Sequence, residues 1–164
     1  MTVDGTLHKF PCPENCHCNK QKFMVVCSNE KLTKIPKLSP LTRILNLDIN
    51  SLDSRLPDKI FNSFQHLTKL YIEYCDISSL PLNAFQGLHA LEKLSLKNNI
   101  IKYDCDELNK LQYLHNLEML DLANNHFVDI NSQCFSSLSS LKSLDVSGNP
   151  FYCSCSLPDF ALWL

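Results

Sequence analysis

Glycine is scarce, with three in 164 residues, and none sits in a Gly-rich phosphate-binding loop. No apolar run approaches the length of a membrane span. The opening stretch, Met1 to Phe10, lacks the apolar core of a signal peptide. There is no excess of charge of one sign, with 15 basic and 17 acidic residues, so neither nucleic acid nor an anionic membrane is indicated as a partner. No Asn-x-Ser/Thr sequon occurs, and attached N-glycans are not expected. Catalysis needs a nucleophile, a base or a metal set that converges. His66, His89 and His115 stand singly in loops, His126 follows an Asn, and His8 lies near the start. No enzyme, cofactor or metal site is expected. Cysteine, by contrast, is plentiful. Nine in 164 residues point to an oxidising compartment, and that fits a chain without a leader if it is a piece of a longer exported protein.

What fills the chain is a repeat. Leu117 to Asn125 reads LEMLDLANN, with Leu at the first, fourth and sixth places and Asn at the ninth. The same frame recurs as TRILNLDIN from Thr42, LTKLYIEYC from Leu67, LEKLSLKNN from Leu91 and LKSLDVSGN from Leu141. The steps between fourth-place Leu45, Leu70, Leu94, Leu120 and Leu144 are 25, 24, 26 and 24 residues. That period is the signature of a leucine-rich-repeat solenoid. Alternation turns the two leucines of L-x-L inward, and parallel strands stacked about 4.8 Å apart build a core that grows with each turn. The expected fold is an α/β solenoid: a horseshoe with short parallel strands on its concave side.

Each part of the frame has a physical task. After the strand the chain turns inward, and loop amides would be buried without partners; Asn50, Asn99, Asn125 and Asn149 can bond them. Cys75 takes that place in the second repeat as a small buried thiol with weaker bonding. Six residues before each later first-place Leu stand Phe61, Phe85, Leu111 and Phe135, and three before it stand Phe64, Leu88, Leu114 and Leu138. These predict a second apolar spine behind the sheet rather than a cofactor pocket. The third repeat's KYDCDELNKLQYLHN favours helix more than its neighbours do.

Cys12, Cys16, Cys18 and Cys27 precede the repeats in CPENCHCNKQKFMVVC. A solenoid exposes its core at an open end and needs a cap, which a short strand through Phe23 to Val26 pinned by two disulfides would supply. Four cysteines allow three pairings; the expected one is Cys12–Cys18 with Cys16–Cys27. Zinc held by these sulfurs with His17 is the alternative. KLTKIPKLSP then leads to the first repeat, with turns at Pro36 and Pro40. The organisation read from the chain is a tail over 1–11, a cap over 12–41, five repeats over 42–148, and an incomplete second cap over 149–164. Cys105 and Cys134, at similar offsets in adjacent repeats, make either a loop-stapling disulfide or two separate buried thiols.

CPENCHC, KLTKIP and the LxxLxLxxN units together resemble the cysteine-rich cap and repeats of extracellular leucine-rich-repeat proteins, from Cys12 to Leu164. NPFYCSCSLPDFALWL resembles the start of the matching C-terminal cap. In that family the paired cysteines bond to two more further along, so the resemblance implies that Cys153 and Cys155 lack partners within this chain. Phe151, where adhesion and axon-guidance members often carry Trp, is similar to Toll-like receptor ectodomains. The resemblance implies a cell-surface or extracellular receptor module for a protein or microbial ligand, with receptor dimerisation. Alternatives are an adhesion or guidance module and a secreted binder like the variable lymphocyte receptors.

Function then falls to a surface. Outward places form columns: Ile44, Lys69, Lys93, Met119, Ser143 at the third; Asn46, Tyr71, Ser95, Asp121, Asp145 at the fifth; Asp48, Glu73, Lys97, Ala123, Ser147 at the seventh; Ile49, Tyr74, Asn98, Asn124, Gly148 at the eighth. Apolar and aromatic residues gather in the N-terminal half. The candidate binding residues are Ile44, Ile49, Lys69, Tyr71, Glu73, Tyr74 and Lys97, since Tyr is enriched where proteins meet. Packing of Ile44 and Ile49 against the cap hairpin is the competing role, and a ligand on the lateral or convex face remains the alternative to a concave one.

Overall fold

The computed structural model describes residues 10–103 and 105–152, and for Tyr103, Cys105 and Asp106 the backbone alone. Nine short strands run through them: β1 (His17–Asn19), β2 (Met24–Val26), β3 (Ile44–Asn46), β4 (Lys69–Tyr71), β5 (Lys93–Ser95), β6 (Lys102–Tyr103), β7 (Met119–Asp121), β8 (His126–Phe127) and β9 (Ser143–Asp145). Seven form one sheet in the order β1-β2-β3-β4-β5-β7-β9, and β6 pairs with β8 in a small second one. The main sheet is parallel throughout except for the β1–β2 hairpin. Leu45, Leu70, Leu94, Leu120 and Leu144 stand opposite one another strand by strand, which is the register the repeat frame predicts. A slip of one residue would turn every leucine to solvent, so burial locks the register.

Leu45, Leu47, Leu70, Ile72, Leu94 and Leu96 are fully buried. Behind them runs the second spine: Phe61 and Phe85 stack with ring centroids 6.0 Å apart, Phe64 tilts against Phe61, and Leu88, Leu111, Leu114, Phe135 and Leu138 are buried. The return segments are mostly turns. The third repeat carries the α-helix α1 (Cys105–Leu108), which runs on into a 3-10 turn over Asn109–Leu111, and Ser132–Phe135 forms another 3-10 turn. Gly87 shows how closely these returns pack. It has φ +92°, and a Cβ there would lie 2.7 Å from the carbonyl oxygen of Asn62.

The inward turns are held by the asparagine ladder. Asn99 is representative: its Oδ1 accepts the N–H groups of Cys75 (3.1 Å) and Ile77 (3.0 Å). Its Nδ2 donates to the carbonyls of Ile72 (2.7 Å) and Leu96 (2.9 Å). One side chain thus satisfies the backbone of two turns. Asn50, Asn125 and Asn149 repeat the pattern. In the second repeat the Cys75 Sγ lies 3.2 Å from the carbonyls of both Leu47 and Glu73. A thiol has one proton and no carbonyl, so this rung does less of the work. Burial pushes the Cys75 thiol up to about 11, which keeps it protonated and able to donate.

The cap is bonded Cys12–Cys18 and Cys16–Cys27, so those sulfurs are not zinc ligands. Val25 stands opposite Leu45 and is fully buried, making the hairpin a first turn of the solenoid. Phe10, assigned above to the tail, is 1% exposed and meets the Phe23 ring edge-on at 5.5 Å. Arg43 lies over the same ring at 5.4 Å. Cys134 is disulfide-bonded, so it is not a separate thiol; the side chain of Cys105, its partner in one of the two alternatives above, lies outside the described residues, as do Cys153 and Cys155.

Candidate functional site

The seven candidate residues fall on three consecutive turns, and the sheet register sets their spacing. Ile44, Lys69 and Lys93 stand side by side at the third place, and Asn46, Tyr71 and Ser95 at the fifth. Lys69 is exposed, while Ile44 and Tyr71 are half-buried. The Lys93 ammonium lies 5.3 Å from the Tyr71 ring centroid, so a cation covers part of an aromatic face that the sequence presents as bare. Lys97 and Glu73 are half-buried at the seventh place.

The two isoleucines behave differently. Ile44 stands opposite Met24 of the hairpin and is half-buried, consistent with packing on the cap. Ile49 is 54% exposed and Tyr74 is 56% exposed, so neither is core. Both lie in the turn after the strand rather than on it, and the backbone there is left-handed, with φ +57° and +54°.

Polar groups between these side chains are wired to one another. Asp48 accepts the Glu73 N–H at 2.7 Å and an Asn46 Nδ2 proton at 2.7 Å. Glu73 accepts the Ser95 hydroxyl at 2.6 Å. Burial raises the Asp48 carboxyl above its ordinary range; the Glu73 N–H bond opposes this and the Glu73 charge adds to it. At the other end of the sheet Asp145 is held below the ordinary range by its bonds to Ser147, with Lys97 helping.

Three features were not singled out from the sequence. Met119 is 44% exposed at the third place, where its column had shown it but its neighbours are polar. Lys93 acts on Tyr71 through the register, a signal available once the columns are drawn. The Nδ2 of Asn98 is buried without a hydrogen-bond partner, which no sequence pattern reveals. Away from the sheet, a cleft of about 200 Å³ opens between the cap's return segment and the first repeat, lined by Ile35, Leu52, Leu56, Pro57 and Ile60. Val25 to Leu45 is a step of 20 residues, shorter than the later turns, so the cap's return covers less of the spine. Among the described residues no group of three or more His, Cys, Asp or Glu is placed to hold a metal ion, and no helix is long and apolar enough to cross a membrane.

Comparison with known proteins gives a consistent picture. The family model described as leucine rich repeat matches residues 40–101 and 106–151, well over half of the chain. Leucine-rich repeat-containing G-protein coupled receptor 5 of Xenopus tropicalis is 33% identical over 94 residues, covering 56% of this chain and 10% of the receptor. Chondroadherin of Homo sapiens is 38% identical over 66 residues, covering 40% of this chain and 18% of that protein. Leucine-rich repeat-containing protein 3B of Danio rerio is 28% identical over 153 residues, 89% of this chain and 48% of that protein. The chain therefore spans less than half the length of each of these relatives.

Proposed function

This chain belongs to the leucine-rich-repeat family, and we propose that it is the extracellular, partner-binding part of a receptor that docks a protein on its concave face. The observation that carries this reading is the pair of large apolar side chains, Ile49 and Tyr74, exposed on consecutive turns beside Tyr71 and Lys69. Contiguous apolar surface on a soluble domain marks an interaction site more often than it serves the fold. Two disulfides in the cap support an oxidising compartment, and a relative named as a G-protein coupled receptor supports the receptor assignment. The finer reading, Toll-like recognition of microbial ligands with receptor dimerisation, rests on Phe151, and the relatives named above add no weight to it. An adhesion or guidance module would use the same face.

Placing a photo-crosslinking phenylalanine analogue at Tyr71, and separately at Leu82 on the return side, tests the docking face. Leu82 is 58% exposed and serves as the control. Irradiated in contact with cell surfaces, the first protein should yield a discrete adduct and the second none. Adducts from Leu82 alone would place the contact on another face.

A further inference from the structure

The eighth place of every turn has a left-handed backbone: φ is +60° at Asn29, +57° at Ile49, +54° at Tyr74, +55° at Asn98, +53° at Asn124 and +69° at Gly148. The turn that sends the ninth residue inward requires it. The first five of these N–H groups also donate to the next turn, Asn29 to Asp48, Ile49 to Glu73, Tyr74 to Lys97, Asn98 to Ala123 and Asn124 to Ser147. That conformation suits Gly and Asn, and four of the six positions have them. Ile49 and Tyr74 are the exceptions, and a β-branched or bulky residue there is a true outlier. Burial offers little compensation, since both are more than half exposed. Strain kept in adjacent turns without a gain in packing points to a contact outside the chain.

The charges around the pair indicate what that contact carries. Among the described residues the ion pairs are Lys110–Glu107 and Lys142–Glu118, and neither involves Lys69, Lys93 or Lys97. Asp48 and Glu73, the acids at the intervening seventh places, already accept hydrogen bonds from Asn46, the Glu73 backbone and Ser95. The exposed acids of these turns, Asp53, Asp58, Asp76 and Glu92, lie outside the outward places. Asp121 and Asp145 stand at the fifth place of the later turns, where the lysine columns have given way to Met119, Ala123 and Ser147. The first three turns thus present two apolar anchors among three lysines that form no ion pair among the described residues, Lys97 acting on Asp145 only through its charge.

We infer that these turns bind an acidic protein segment with one apolar or aromatic anchor: the anchor seats on Ile49 and Tyr74, and the flanking carboxylates meet Lys69, Lys93 and Lys97. This rests on the concave-face reading above and gives it a partner chemistry. The test is selection from a random dodecapeptide display library on the wild-type chain. Enriched peptides should carry Asp or Glu around a Leu, Phe or Trp, and their affinity should fall as salt rises. The double variant Ile49→Asn/Tyr74→Asn should lose about thirtyfold in affinity, as expected for lost apolar anchors, while its unfolding midpoint rises. Lys69→Glu/Lys93→Glu, a change of surface charge, should abolish binding independently. No enrichment, peptides without acidic bias, or acidic peptides that bind both double variants like wild type would overturn the inference. Peptides lost on Tyr71→Ala but indifferent to Ile49, Tyr74 and the lysines leave the concave reading standing without this partner chemistry. Peptides indifferent to all of these substitutions overturn both.

Discussion

The second repeat and the third are built on the same frame, and two adjacent places at its end set them apart in stability. The second has Tyr74 and Cys75 where the third has Asn98 and Asn99. Tyr74 adopts a backbone conformation that Asn adopts with less strain, and Cys75 offers one donor where Asn99 offers two donors and an acceptor. Of these two places the first repeat departs only at Ile49, keeping Asn50. Local stability has therefore been given up in the turns that carry the exposed apolar pair, and retained in the later turns, whose concave face is polar apart from Met119 and Ala123. A repeat protein can tolerate this, because each turn draws support from its neighbours.

The comparison is most severely tested at the ninth place. Asn99→Ala takes the acceptor from the N–H groups of Cys75 and Ile77 and the donor from the Ile72 carbonyl, while the Leu96 carbonyl keeps the Asn125 Nδ2, and should cost roughly 4 kcal/mol. Cys75→Ala should cost about 1 kcal/mol, and Cys75→Asn should stabilise by about as much. Denaturant unfolding measures all three, and equal losses at 75 and 99 would mean that the rungs are equivalent after all. Next in size is the cap. Removing one disulfide with Cys16→Ser/Cys27→Ser should cost roughly 3 kcal/mol, and hydrogen exchange should report the loss in the hairpin and first repeat, leaving β7 and β9 protected. Uniform loss along the chain would show that the turns act as one unit.

Smaller effects sharpen the eighth place. Ile49→Asn and Tyr74→Asn should each stabilise by about 1 kcal/mol, whereas Asn98→Tyr should destabilise by a similar amount. If the Asn variants are less stable than wild type, the two side chains pack into the fold and the left-handed backbone at these places stores no strain. Smallest is a titration. Because the folded-state carboxyl of Asp48 is raised by burial, the stability it contributes is complete below the unfolded value, about 3.9, and is lost as pH rises through its folded one. The difference between wild type and Asp48→Asn should therefore shift against wild type as pH rises through that window. A difference that is flat with pH would show that the hydrogen bonds from Glu73 and Asn46 offset desolvation.

The repeat period alone was enough to give the strand register, the two apolar spines and the asparagine ladder, because each follows from which residues recur and how far apart. It also gave a helix to the third return segment, where α1 lies. Ile49 and Tyr74, candidates by their outward columns, lie in the turns after β3 and β4 and not on the strands. The column Ile49, Tyr74, Asn98, Asn124, Gly148 already held the clue, since Asn and Gly together mark a left-handed position. Tertiary structure decided the rest: that Phe10 belongs to the packed cap, that Lys93 covers Tyr71, that Asp48 and Glu73 are tied down while Lys69, Lys93 and Lys97 form no ion pair among the described residues, and that Ile44 is half-buried while Ile49 is not. The physical reason is distance along the chain. Periodicity is a property of one segment, whereas exposure and charge pairing at any place depend on the turns stacked on either side, about 25 residues away in sequence and roughly 5 Å away in space.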